Sequence, residues 1–408
     1  MSDTAAIIMH GASGTSPGER IVNTARHAAI RDLVEGLRAA GADRILLISN
    51  DPQVQEELPR HGVERFTPVH RSPFDAGQAL QDAVREHRLR GFVYFGSGTG
   101  SLLHVDQLRD LVAFAAQEPR AALLNNPFSV DFAAVSGAQH LPDGALPPSD
   151  NALGFALAKA GFTCRALPRT LDTQFDIDTP TDACLLAATG RGGQHLRAGL
   201  RELRLPTESV TAVLHRLVDR TAHVYLLGRV NPRTWSWFES QVACRTSGTI
   251  EGRGMRGYPT GRGTLLGGLL DATSPTAFFD RLGQLCSAAL IDSRPLLSND
   301  GLLPPAADRF SSDLLQAEQV ADLRWAAFTA SAAAASVPVL VGGHNLVSGG
   351  LYLLGEMCWH DTELPRRLPV EDLNPGEESN ERPYPRRFAG EDRSPGSRDH
   401  RERGAPPT

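Results

Sequence analysis

Asp176 and Asp178 stand two residues apart in the segment TLDTQFDIDTPTDACLLAA. On an extended segment, residues i and i+2 face the same side, so both carboxylates can reach one divalent cation, which oxygen ligands suit. Asp178 is equally placed to cap a helix whose first residues are Thr179 and Pro180. A second chemical feature lies near the start of the chain, where the apolar run Ala5 to Met9 leads into HGASGTSPG. Gly11, Ala12, Ser13, Gly14 and Thr15 are small enough for backbone N–H groups to approach phosphate oxygens, and the positive end of a following helix adds to that attraction. The same residues suit a tight strand-to-helix turn that holds nothing. A dinucleotide-binding reading needs an acidic residue roughly 20 positions on, closing the second strand. Here that strand ends much later, at Asn50 and Asp51.

Two further loops carry polar groups directly after apolar runs. FGSGTG offers Ser97 and Thr99, and LNNPFSVDFAAV offers Asn125, Asn126, Ser129 and Asp131. Such residues orient and neutralise rather than attack, which is what phosphoryl-type transfer asks of a protein.

The elements that position these residues follow from periodicity. A strand, the small-residue loop and a helix through Ala28, Leu33, Leu37 and Ala40 to Gly41 are followed by the buried-strand signal ADRILLISND and a short helix around Val54 to Leu58. The alternation continues with a helix from about Gly77 to His87, the strand GFVYF, a helix from about Val105 to Gln117 and the strand AALLNN. Pro127 to Pro148 reads as looser, before a helix from about Asn151 to Ala160 and a strand at Thr163 to Leu167. The fold class is α/β, a Rossmann-like three-layer sandwich with a mostly parallel sheet. This first domain spans residues 1–190, and GRGGQHLRAG makes 191–206 a linker. Residues 207–362 form a second α/β or α+β domain, with a helix from Thr207, a strand in HVYLLGRV, helices near Pro275 to Ala289 and Ser312 to Ala335, and the strand VPVLVGG. Residues 363–408 are rich in Pro, Arg, Asp and Glu with few apolar side chains, and such a tail is expected to be disordered.

RHAAIRDLVEGLRAAGADRILLISNDP resembles the stretch of molybdenum-cofactor guanylyltransferases in which a helix ending in AAGAD feeds a strand ending in ND. TQFDIDTPTDACLLA is similar to the D-I-D-T-P-E-D segment of the phospholactate guanylyltransferases of deazaflavin-cofactor assembly and of related sugar-nucleotide transferases. The resemblance covers about residues 5–190 and implies the nucleotide-diphospho-sugar transferase fold. It implies transfer of a nucleoside monophosphate, GMP for instance, from a nucleoside triphosphate such as GTP to a small phosphorylated acceptor, with release of pyrophosphate. On that reading Gly11 to Thr15, Ser97, Thr99, Asn125 and Asn126 bind the nucleotide, Asp176 and Asp178 hold Mg2+, and Arg20, Asp131 and Asp178 serve catalysis.

The chain departs from that family's pattern in two places. Its first loop carries Arg20 and Arg26 but no lysine, the sole lysine being Lys159. FGSGTG replaces the metal-binding aspartate at the end of the central strand, a role Asp131 takes if its loop folds back over the sheet. A non-catalytic nucleotide-binding or regulatory protein on the same fold, and a nucleotide-sugar glycosyltransferase, are the alternatives.

Composition narrows the partners. A formal charge of -6 over 408 residues, with no basic stripe, argues against nucleic acid. Five widely spaced cysteines without a C-x-x-C pair argue against a disulfide framework and a structural zinc, and no apolar run is long enough to span a bilayer. A cytoplasmic location is expected. In the second half, Arg245, Arg253, Arg256 and Arg262 interleave with glycines as an anion loop or a solvated surface would. Asp292, Arg294, His344 and Ser348 follow strand-like runs and are candidates to line a cleft. Glu356, Cys358 and His360 lack the partner cluster a metal site needs.

Overall fold

The computed structural model describes residues 3–68, 74–117, 119–252, 263–297 and 303–360. The first half runs β1 (Thr4–His10), α1 (Pro17–Ala39), β2 (Ile45–Ser49), α2 (Pro52–Glu57), β3 (Glu64–Arg65), α3 (Ala76–Glu86), β4 (Gly91–Phe95) and α4 (Val105–Ala115). It continues with β5 (Ala121–Leu124), β6 (Phe132–Ser136), α5 (Leu153–Lys159), β7 (Thr163–Ala166), α6 (Leu171–Gln174) and α7 (Pro180–Thr189). The strands form a seven-stranded sheet in the order β3-β2-β1-β4-β6-β5-β7. Only β6 runs antiparallel to its neighbours, β4 and β5.

Both faces of this sheet are covered, as a parallel sheet requires. Along β1 the side chains alternate: Ala5, Ile7 and Met9 pack with Leu80 and Val84 of α3 and Leu157 of α5. Ala6 and Ile8 pack with Ile30, Leu33 and Leu37 of α1 and Leu108 of α4 on the other face. The three-layer α/β architecture read from the sequence is thus the one observed. β6 is the departure, lying inside the stretch read as loose. Its FAAVS run is buried at every position, because a strand inserted between β4 and β5 meets helices on both sides.

The second half contains α8 (Gln194–Glu202), α9 (Glu208–Val218), β8 (His223–Gly228), α10 (Pro232–Gln241), β9 (Arg245–Ile250), α11 (Leu265–Ala272), α12 (Pro275–Leu285) and β10 (Ala288–Asp292). Then come α13 (Ser293–Leu297), α14 (Ala306–Asp313), α15 (Leu323–Ala333), β11 (Val339–Gly342) and α16 (Gly349–Met357). Its four strands form a second, all-parallel sheet in the order β11-β10-β8-β9. The single helix expected over Ser312 to Ala335 is two helices, separated where Leu315 adopts a left-handed φ of 58°. The expected tail, residues 363–408, and Arg253, Arg256 and Arg262 lie outside the described residues.

The two sheets meet through one apolar cluster. It joins Ala25 and Ala28 of α1, Leu185 of α7, Val224 and Leu226 of β8 and Leu351 and Leu354 of α16. The stretch expected as a linker, 191–206, contains α8, which lies along α1. Its start is fixed by a neighbouring helix: Asp32 accepts from the backbone N–H of His195 at 2.9 Å and of Leu196 at 2.8 Å, supplying a cap that Gly193 lacks. Leu196 and Leu200 then bury their side chains against α1, so a Gly/Arg-rich sequence folds because its partner carries the missing acceptor.

Replacing Asp32 by Ala leaves two N-terminal N–H groups of α8 without their acceptor. The expected loss is about 1 kcal/mol, the usual worth of a helix cap. Urea denaturation reads it as a lower midpoint at unchanged slope, and an unchanged midpoint would show that α8 is held by its apolar side alone.

Candidate functional site

In open α/β sheets, ligands sit beyond the carboxyl ends of the strands, where the strand order reverses. The first sheet reverses between β1 and β4, and the second between β8 and β10. A cavity of about 750 Å³ lies between these edges. The first half contributes Gly96 and Ser97 after β4, Asn126, Ser129 and Asp131 from the β5–β6 loop, Asp150, Arg169, and Gln174, Asp176 and Asp178 before α7. The second half contributes Arg229 after β8 and His344, Asn345 and Ser348 after β11.

The DIDTPTD segment is held from both sides. Thr179 is the N-cap of α7, and Asp182 in its first turn accepts from the backbone N–H of Asp178 at 2.9 Å and of Thr179 at 2.7 Å. The capping role open to Asp178 therefore belongs to Thr179 and Asp182. The carboxylate of Asp178 turns outward and pairs with Arg26 at 3.1 Å. Asn345, from the second half, donates its side-chain N–H to Asp182 Oδ1 at 2.8 Å and accepts from the backbone N–H of Asp176 at 3.2 Å.

Asp176 is left in an unusual state. Burial, reinforced by the charges of Asp178 and Asp131, holds its carboxyl well above the usual carboxylate range. Its Oδ1 is shielded from solvent and has no hydrogen-bond partner among the described residues. The same is true of Arg169 Nε, on the wall of the same cavity.

At the β4 edge, Asn125 folds its loop back over the sheet. Its Oδ1 accepts from the backbone N–H of Asp131 at 2.9 Å and its Nδ2 donates to the Asp131 carboxylate at 2.8 Å. Asp131 thereby reaches the cavity, while Asn125 stands behind it as a brace. Thr99 uses its hydroxyl within the loop, donating to the Gly96 carbonyl at 3.0 Å. Gly98 has a φ of 92°, and a side chain there would collide with Asp176 Oδ1 and the Ile177 carbonyl, so FGSGTG lies directly against the DID segment.

The loop Gly11 to Thr15 is engaged with its own chain. Ala12 donates its N–H to Asn50, Ser13 to Asn23 and Gly14 to Glu19, each at 3.0 Å. Glu19 also accepts from the backbone N–H of Ser16 and completes the capping box of α1. Although burial opposes it, these bonds from Ser16 and Gly14 hold the Glu19 carboxyl below its ordinary range. A carboxylate therefore lies where the sequence pattern suggests a phosphate. Arg20 donates to the Thr15 carbonyl beside that loop.

His10, which closes β1, is absent from the residues that pattern alone singles out. Its Nδ1 lies 2.7 Å from Ser97 Oγ and its Nε2 lies 3.2 Å from Asp51 Oδ2. His27 Nε2 lies 2.5 Å from the same Asp51 oxygen. The readable signal is positional: a histidine, an aspartate and a serine each terminate an apolar strand at the same edge of the sheet. Among the described residues, the groups of three or more His, Cys, Asp or Glu converging within 4.8 Å are His10, His27 and Asp51, and Asp32, Glu35 and His195. Asp176 and Asp178 belong to no such group, and neither do Glu356, Cys358 and His360.

Of the second-half candidates, His344 and Ser348 line the cavity. Asp292 is buried behind Arg229 in a bidentate pair of 2.6 and 2.9 Å. Arg294 is turned away into a buried bidentate pair with Asp313 at 2.6 and 2.7 Å. Arg245 lies on β9, away from the cavity. All five cysteines are free thiols. Among the described residues no helix is long and apolar enough to cross a membrane.

No protein-family model matches the sequence, and no curated protein does. Solved structures with a similar fold include a protein described as a nucleotide-diphospho-sugar transferase from Desulfovibrio desulfuricans, at 15% identity and TM-score 0.39, covering 50% of this chain and 95% of that one. A nucleotidyl transferase from Methanothermobacter shares 15% identity over 44% of this chain and 93% of its own, at TM-score 0.33. A cytidylyltransferase from Leptospira borgpetersenii shares 15% over 50% and 94%, at TM-score 0.36. These likenesses concern architecture alone.

Two measurements test how the DID segment is held. Asn345→Ala leaves Asp182 Oδ1 and the Asp176 N–H without partners, for an expected loss of about 1–3 kcal/mol in chemical denaturation. Burial pushes the Asp182 carboxyl up to about 7. A carboxyl raised on folding stabilises the fold most below the ordinary carboxylate range, and this contribution fades as pH climbs through 7. Asp182→Asn should remove that slope between pH 4 and 7, and a slope that survives would assign it elsewhere.

Proposed function

We propose that the protein is a divalent-cation-dependent nucleotidyltransferase acting in the cavity between the two sheet edges. One observation carries the reading. The cavity presents a buried carboxyl oxygen, Asp176 Oδ1, with no donor, and a buried guanidinium N–H, Arg169 Nε, with no acceptor. Buried polar groups are satisfied in folded proteins, so a pair of orphans of opposite character describes a ligand that brings both a cation and an anion. A nucleoside triphosphate with its metal is such a ligand, and about 750 Å³ is within the range of small-molecule sites.

The residues fit the cation. Asp176, with Asp178 and Asp131 near enough to raise its proton affinity, would hold Mg2+, which when bound neutralises phosphate charge. Arg169 would take a phosphate oxygen, and Arg229, fixed by Asp292, would direct its remaining N–H groups inward. Asn126 and Ser129 would orient the acceptor, a small phosphorylated metabolite, and guanine is the base that the guanylyltransferase resemblance implies. Arg20 and the Gly11 to Thr15 loop join the site only if Glu19 is displaced from the loop amides. That engaged loop is the observation favouring a second reading, a nucleotide-binding regulator without turnover.

The decisive measurement is pyrophosphate release across the four triphosphates with Mg2+ and a panel of phosphorylated acceptors, beside calorimetric binding. Release with GTP supports the enzyme, binding without release supports the regulator, and no binding removes both. Arg169→Ala is expected to weaken nucleotide binding by about 1.5–3 kcal/mol, the worth of a hydrogen bond to a charged group. Because burial keeps Asp176 protonated, a cation must displace a proton, so Mg2+ affinity should rise with pH, and Asp176→Asn should abolish that rise.

A further inference from the structure

Ser97, His10 and Asp51 come from three separate strand ends, and their protons can be assigned from the contacts. Asp51 Oδ1 accepts from the backbone N–H of Gln53 at 2.9 Å, and Oδ2 faces the Nε2 atoms of both His10 and His27. Burial opposes ionisation of Asp51, but His27, the bond from His10 and the Gln53 N–H outweigh it and hold its carboxyl below the ordinary range. It is therefore a carboxylate, an acceptor only, and both imidazoles must donate from Nε2. Burial, aided by the neighbouring His27 and by Arg26, lowers His10 to about 4 against the pull of Asp51, so His10 is neutral near pH 7. A neutral imidazole with its proton on Nε2 has a bare Nδ1, and the 2.7 Å contact is a hydrogen bond donated by the Ser97 hydroxyl.

The arrangement has the logic of an activated nucleophile: a hydroxyl, a base within hydrogen-bond reach, and a third group fixing the tautomer of the base. His10 is buried, whereas Ser97 is partly exposed on the cavity wall. The relay lies at the point where the strand order of the first sheet reverses.

We infer that Ser97 is a covalent nucleophile for carboxylic esters, with His10 as its proton shuttle and Asp51 as the orienting group. The relay itself selects this class. Pyrophosphate leaves a nucleotide without needing a proton and an acceptor phosphate is already deprotonated, so the nucleotidyl transfer proposed above has little use for a proton shuttle. An alkoxide leaving an ester does need one. In the forward step Ser97 Oγ bonds to the carbonyl carbon, its proton passes to His10 Nδ1, and the carbonyl π electrons move to oxygen. Collapse of that adduct breaks the bond to the alkoxide, which takes the proton from His10. Water then repeats the sequence on the acyl-serine, releasing the acid and restoring Ser97. None of these steps requires a metal or the nucleotide chemistry proposed above.

The test is independent of nucleotides. The full-length protein is treated with an alkyl fluorophosphonate in EDTA, where attack by Ser97 forms a P–O bond, expels fluoride and leaves a stable adduct. One adduct per chain mapping to Ser97 by peptide mass spectrometry is expected, together with hydrolysis of short p-nitrophenyl esters, both lost in Ser97→Ala. His10→Gln should slow labelling by about 10²-fold or more, the usual worth of general-base assistance. Because that buried substitution can impair folding, the labelling rate of the unaltered chain is also followed against pH. It should fall on the acid side as His10 gains its proton, with Asp51, His27 and Arg26 the charges around it. An adduct elsewhere, an adduct retained in Ser97→Ala, no adduct at all, or no fall in rate toward acid would overturn the proposal.

Discussion

The side-chain amide of Asn345 spans the seam between the two sheets. It accepts from the backbone N–H of Asp176 and donates to Asp182, so one residue of the second half fixes both ends of the DIDTPTD segment of the first. Without that clamp, the Asp176 backbone N–H and Asp182 Oδ1 would each lose a partner. With it, the carboxyl is kept buried at the cavity, beside the loop in which Gly98 makes room for its oxygen. The second sheet is thereby part of the site, and Gly349, where an added side chain would strike both Asn345 and the Gln174 carbonyl, shows how closely the two halves are fitted there.

Much of the fold was legible because burial on both faces leaves a long apolar signature. AAIIM, ILLIS and GFVYF each read as central strands and are β1, β2 and β4. What escaped was structure determined by partners rather than by pattern. FAAVS follows Asn, Pro and Ser and is too short to announce itself, yet pairing on both sides makes it β6. GRGGQHLRAG has the composition of a linker and becomes the start of α8 because Asp32, far away in sequence, caps it.

The site was legible in its members and not in their duties. Asp131, Asp176, Asp178, Asn126, Ser97 and Thr99 all reach one cavity, as position after a strand suggests. Asn125 and Thr99, however, use their hydrogen bonds to shape the loops. Gly11 to Thr15 was the most misleading feature in physical terms. A glycine-rich turn into a helix attracts an anion wherever it occurs, and sequence cannot say whether that anion is a ligand or a residue a few positions on. Here Glu19 fills the role, so the attraction is satisfied internally and stabilises α1.

The charges around the cavity bear on both of the proposed chemistries. Asp178 is paired with Arg26, and Arg229 with Asp292, so each presents polar atoms to the cavity without an unbalanced charge. Asp150 accepts from the buried Tyr94 hydroxyl at 3.0 Å and Asp131 from Asn125 at 2.8 Å, which fixes their direction. Burial, with the charges of Asp178 and Asp131 added to it, holds the Asp176 carboxyl above the usual range, and on the proposed reading a cation would replace its proton. Ser97 stands on the opposite side of the Gly98 turn, with its hydroxyl directed toward a neutral imidazole. Its hydrogen bonds lead away from the DID segment, through His10 at the end of β1 to Asp51 after β2. On the proposed readings, a cation held at Asp176 would be what admits a phosphate, and Asn345, which accepts from the Asp176 backbone N–H, ties that residue to the second sheet.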